Sequence, residues 1–120
     1  MMIAILHFLP GELTHLMRAY LDRLPPGSHL ALSHVTDDGL APEEIERATS
    51  PYARTRSGLH FRTPRQIKAL FEGTELLEPG LMPIWKWCPA PEAAHALPKI
   101  SQTVDARPTS PVILAGIGRL

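Results

Sequence analysis

His7 and His34 each lie near the end of a short apolar run, and imidazole is the side chain best suited to move a proton near neutral pH. Ser33 stands directly before His34, so the pair offers a hydroxyl and a ring nitrogen at one point of the chain. One reading makes His34 a catalytic base that also faces substrate beside Ser33. The other makes both histidines hydrogen-bonding partners of neighbouring loops. Arg54, Arg56, Arg62 and Arg65 form a local basic cluster, with Arg54 and Arg56 the candidates for meeting an anionic substrate. A solvated surface paired with Glu43, Glu44 and Glu46 is the plainer reading of the same charges. Trp85 and Trp87 share one face of an extended segment at period two, placed to stack on a planar acceptor or to cover the core. A metal centre is not expected. His29 and His34 lie five apart and point to opposite sides of a strand, and Cys88 has no cysteine partner and no ligand-like spacing to His60 or His95. Cys88 reads as an incidental thiol.

The elements that must position these groups follow from periodicity. Ile3 to Pro10 is apolar on both faces, as a strand buried on both faces would be. Pro10 ends it. Leu13, Leu16, Met17, Tyr20, Leu21 and Leu24 then make one helical stripe between Gly11 and Leu24, and Pro25-Pro26-Gly27 turns the chain into a second strand, Ser28 to Val35. Strand, helix and strand predict a right-handed parallel crossover. In such a sheet ligands sit beyond the carboxyl ends of the strands, which is where His7 and Ser33-His34 fall.

Further on, Pro42 to Thr49 reads as a helix, with Pro51 breaking it. Thr63-Pro64-Arg65-Gln66 is a capping box opening a helix to about Glu72, with Gly73 as its left-handed cap. Glu75 to Glu78 and Leu81 to Trp87 make an interrupted strand, which Pro83 confines to a rim. Residues 89–111 are a Pro-rich mobile loop, and Val112 to Ile117 is the last strand.

Length and composition bound the possibilities. The 120 residues allow one domain with a modest core. Twelve basic and twelve acidic residues cancel, which disfavours nucleic acid or an anionic membrane as partner. No apolar run approaches the ~20 residues that span a bilayer. A single cysteine suits a cytoplasmic setting.

Several local phrases carry a family resemblance. Ile5-Leu6-His7-Phe8-Leu9-Pro10, Leu24-Pro25-Pro26-Gly27-Ser28, Leu32-Ser33-His34, Phe71-Glu72-Gly73, Leu77-Glu78-Pro79-Gly80-Leu81 and Gly116-Ile117-Gly118-Arg119 occur in this order and spacing. Together they resemble the C-terminal half of a bacterial S-adenosyl-L-methionine-dependent methyltransferase family, class I and Rossmann-like, once catalogued as a domain of unknown function. The resemblance implies an α/β fold: a partial Rossmann-like sheet holding strands four to seven of the full fold, the last antiparallel, with helices on its faces. It would make residues 1–120 a single partial domain.

The same resemblance implies S-adenosylmethionine as cofactor, with Leu6, His7 and Phe8 walling its site. The glycine-rich turn and acidic residue of the family's first half have no counterpart here. Gly116-x-Gly118 has no helix after it and cannot replace them. The expected function is therefore a methyltransferase fragment acting on a small-molecule acceptor and inactive without the missing half. The expected partner is that half, or a second copy pairing through the strand at 3–9. The alternative is a decayed, non-catalytic domain acting as an interaction or dimerisation module.

Overall fold

The structure is a computed structural model that describes residues 5–87 and 112–120. The expected mobile loop at 89–111, Cys88 and His95 lie outside the described residues, as do Ile3 and Ala4.

One strand organises the described sheet: β4, Ile113–Arg119. It runs antiparallel to β1, His29–Val35, in register from His29↔Arg119 to Val35↔Ile113. Its other edge takes β2, Glu75–Leu76, and then β3, Met82–Pro83, both antiparallel. The order β1-β4-β2 places the last strand between the second predicted strand and the rim, as the resemblance implied. β2 and β3 act as two halves of one rim strand. Leu77 N–H still donates to the Ile117 carbonyl at 2.8 Å, and Gly80 N–H then turns back to the Leu77 carbonyl at 2.7 Å. Pro83 lacks an N–H and is tolerated because it sits on that rim.

The opening segment departs from expectation. Over its described part, Ile3 to Pro10 is not a strand: Leu6–Phe8 is a 3-10 turn, closed by Phe8 N–H to Ile5 O and Leu9 N–H to Leu6 O, both 3.1 Å. Apolar residues encode burial, whereas a ladder also needs a partner on each edge. Here the carbonyls of Leu6 and Leu9 are taken by the Arg62 side chain instead. The predicted parallel crossover is accordingly not seen among the described residues, where parallel pairing is confined to the bridge Thr36↔Arg62.

Helix α1, Thr14–Leu21, starts later than the stripe suggested. Gly11 has φ +77°, outside helical space, and the Glu12 carboxylate accepts from Thr14 N–H at 2.7 Å and from the Thr14 hydroxyl, capping the first turn. Met17 and Leu21 face the core, while Leu16 and Tyr20 remain 51% and 42% exposed, so only part of the stripe is covered.

Helix α2, Pro42–Thr49, has the predicted bounds, and the Glu44 carboxylate accepts Ala41 N–H at 2.8 Å. It buries nothing. Helix α3, Pro64–Ala69, opens on the predicted capping box: Thr63 Oγ1 accepts Gln66 N–H at 3.2 Å, and Gln66 Oε1 accepts Thr63 N–H at 2.9 Å. It tightens into i→i+3 bonds through Glu72 rather than remaining α-helical.

The core lies on one sheet face. Leu30, Leu32 and Leu114 meet Leu13, Met17 and Leu21 from the α1 side and Ile67, Leu70 and Phe71 from the α3 side. Gly116 and Gly118 make this approach possible. A Cβ on Gly116 would stand 3.1 Å from Phe71 Cζ, and one on Gly118 would stand 2.8 Å from Thr74 Cβ. On the other face, Ala31, Ser33, Ala115 and Ile117 floor an apolar hollow of about 220 Å³ beside Ile84 and Trp87. Trp85 and Trp87 do not lie on an extended run, because Ile84–Lys86 is a 3-10 turn. The Trp87 indole N–H donates to the Ala115 carbonyl at 3.2 Å, fixing that ring to the sheet. No helix among the described residues is long and apolar enough to cross a membrane.

Candidate functional site: a buried histidine and arginine cluster

The two histidines singled out by sequence do meet. Their rings stand edge to face, with centroids 5.8 Å apart. His34 is fully buried on the core face of β1. Its Nδ1 lies 2.7 Å from the Val35 carbonyl and its Nε2 lies 2.6 Å from Arg62 NH1. A carbonyl can only accept and a guanidinium can only donate, so these contacts fix a neutral ring with its proton on Nδ1. Burial drives the His34 pKa down to about 4; the bond to the Val35 carbonyl opposes this and the Arg62 charge reinforces it. Both ring nitrogens are thus engaged within the chain.

Arg62 is the residue that sequence reasoning misplaced. It reads as one of four surface arginines, yet it is only 7% exposed. NH1 donates to Leu6 O at 3.3 Å as well as to His34, and NH2 donates to Leu9 O at 2.9 Å and Gly11 O at 2.7 Å. Burial lowers its pKa and the nearby Glu12 charge raises it. Nothing in the spacing distinguishes Arg62 from Arg65. The only available hint is position: Arg62 directly precedes the capping box that anchors α3.

His7 is held in the 3-10 turn, where its carbonyl accepts His60 N–H at 2.8 Å. Its Nδ1 is buried with no hydrogen-bond partner among the described residues. Burial first, and the Arg62 charge second, lower its pKa, so this ring too is neutral near pH 7. Phe8 lies 4.4 Å from the His7 ring and 5.7 Å from Tyr52, centroid to centroid. The Leu6 side chain, at the start of the same turn, packs into the core.

Other candidates are dispersed. Ser33 and His34 are neighbours on a strand and point to opposite faces, so they do not line one crevice: Ser33 borders the apolar hollow and His34 the core. Arg54 and Arg56 are exposed in the segment after α2, close in sequence to Tyr52. A concavity of about 510 Å³ runs between α1 and α3 and is lined by none of His7, His34 or Arg62.

With this geometry established, comparison with known proteins is informative. A family model described as S-adenosyl methyltransferase matches residues 1–120. The chain belongs to this S-adenosyl methyltransferase family. Among solved structures it is similar to a DUF574 family protein from Streptomyces avermitilis, at 32% identity and TM-score 0.76, covering 98% of this chain and 42% of that one. It is also similar to a candidate methyltransferase from Thermobifida fusca, at 31% identity and TM-score 0.65, covering 95% of this chain and 40% of that one. No curated protein matches it. The chain therefore spans about two fifths of the length of these relatives. Membership carries the mixed α/β, methyltransferase-like fold and a family association with S-adenosylmethionine. It leaves the arrangement of His7, His34 and Arg62 as a property read from this chain.

Proposed function

We propose that this chain forms part of an S-adenosylmethionine-dependent methyltransferase of the cytoplasm, acting on a small-molecule acceptor, and that the Leu6–Phe8 turn walls the cofactor site. One observation carries the reading: a buried imidazole nitrogen on His7, without a partner among the described residues, stands beside the ring of Phe8, which in turn meets Tyr52. A buried polar atom without a partner is costly, and a ligand that hydrogen-bonds to it removes the cost. An adenosyl group, with a flat base and several polar edges, fits a wall of this composition. When bound, the cofactor supplies a methyl group already activated on a sulfonium.

The residues of this chain then have modest tasks. His7 offers one hydrogen-bonding atom, Phe8 and Tyr52 offer flat apolar surface, and the exposed Arg54 and Arg56 meet an anionic acceptor. No strong base is required, so the engagement of both His34 nitrogens is compatible with the reading. In this proposal the 120-residue chain alone does not bind cofactor, because the glycine-rich turn and acidic residue of the family are not in it. Ultraviolet crosslinking of labelled S-adenosylmethionine to the chain completed by the rest of a relative tests the wall. Label on the peptide containing His7 and Phe8 is expected; label confined to other peptides would overturn it.

A second reading is favoured by the exposed apolar residues Ile5, Leu16 and Tyr20, which suit a docking surface. In it the chain is a non-catalytic module that pairs with the other part of the fold, or with a second copy through residues 3–9. Size-exclusion chromatography tests the second copy: stable dimers of the isolated chain support self-pairing, and a clean monomer removes it.

A further inference from the structure

We propose that Arg62 is the positioning residue of the His7–Phe8 wall: it ties the turn to β1 and holds His34 in a single neutral tautomer. The inference rests on the cofactor-wall reading given above. Arg62 belongs to the connection before α3, yet its side chain reaches the carbonyl that opens the 3-10 turn, the one just after it and the one ahead of α1. One guanidinium nitrogen serves Leu6 O and His34 Nε2, and the other serves Leu9 O and Gly11 O. Four acceptors on two separated nitrogens match the rigid fork of arginine and not the single point of a lysine.

The charge balance supports a directing role. Among the described residues, no carboxylate is in ion-pair distance of this buried cation, and Glu12 acts on it only from farther away. Burying a guanidinium without a counter-ion in contact is unfavourable, and carbonyl dipoles offset it only where several converge. Three converge here, and His34 completes the set. The ring can accept from Arg62 only while Nε2 is unprotonated, so its proton goes to Nδ1 and the Val35 carbonyl. The ionisable groups that act on the His34 ring are Arg62 and His7, and both add to burial in opposing a second proton on it. Through these contacts Arg62 sets where the turn lies, and the turn sets where His7 Nδ1 and the Phe8 ring lie.

Nitrogen-15 spectra of the histidine rings in the 120-residue chain test the clamp without any cofactor. The expected result for His34 is a neutral ring protonated at Nδ1, with no titration until well below pH 6. A proton on Nε2, or titration near the ordinary histidine value, would overturn the proposal on the unmodified chain alone. Arg62→Lys keeps the charge and most of the stem. It is expected to mix the two tautomers and to abolish the Phe8–Tyr52 proximity signal, while Arg65→Lys changes neither. Unchanged tautomer and proximity in Arg62→Lys would overturn it. In the completed protein the same variant should weaken S-adenosylmethionine binding about tenfold or more; equal affinity contradicts the positioning role. Failure of the unmodified completed protein to bind would instead sink the cofactor reading, so the two failures are distinguishable.

Discussion

Two regions of the molecule answer the same hydrophobic demand differently. Around β4 the chain supplies every neighbour itself: β1 on one edge, β2 and β3 on the other, and α1 with α3 over one face. Around Ile5–Leu9 the described residues do not. Ile5 is 56% exposed, Leu9 is 36% exposed, and the adjacent outer residues of α1, Leu16 and Tyr20, also face outward. Both regions carry similar apolar sequences. Apolar content alone therefore does not decide whether a segment becomes a paired strand; the available neighbours do. In the opening segment a single arginine takes up carbonyls that a neighbouring strand would otherwise bind.

The comparison can be broken at its strongest point first. Ile67 is completely buried beneath the β1–β4 pair, and Ile67→Ala should cost about 2–5 kcal/mol in a denaturant titration. Acid should cost nearly as much. His34 is neutral in the fold with its pKa lowered to about 4, whereas the unfolded chain takes up its proton near the ordinary value. The unfolded state therefore binds more protons across that interval. Stability is complete above about pH 6.5 and is lost as pH falls toward 4, by up to about 3 kcal/mol, with His7 acting in the same direction. Denaturation midpoints at a series of pH values check the sign, and a midpoint that rises on acidification would refute it.

Smaller effects sharpen the contrast. Gly118→Ala places a methyl against Thr74 and Phe71 and should destabilise by about 1–3 kcal/mol, read as a fall in thermal midpoint. Thr63→Ala removes the cap of α3 and should cost about 1 kcal/mol. Leu16→Ser, on the outward face of α1, should change the stability of this chain by less than about 0.5 kcal/mol. A loss from Leu16→Ser as large as that from Ile67→Ala would erase the distinction between the two regions.

Much of the fold is legible where local chemistry decides it. The bounds of α2 follow from Pro42 and the acidic first turn, and the start of α3 from Thr63 and Gln66. The rim placement of β3 follows from Pro83, and the antiparallel last strand from the family resemblance. What sequence concealed are features set by distant contacts. The opening strand became a 3-10 turn because Arg62, more than fifty positions away, claims its carbonyls. The site was legible in the meeting of His7 with His34 and hidden in its organiser, because an arginine in a run of arginines looks solvated until its acceptors are known. Period two also separates Ser33 from His34, a consequence of strand geometry that their adjacency disguised.

The central claim is that these 120 residues provide one wall of a methyltransferase cofactor site and need the remainder of the fold to close it. Calorimetric titration of S-adenosylmethionine tests this most directly, first into the chain alone and then into a chain completed with the rest of the Streptomyces avermitilis relative. The account predicts no saturable heat from the first and single-site binding by the second. Micromolar binding by the chain alone, or none by the completed protein, would contradict it.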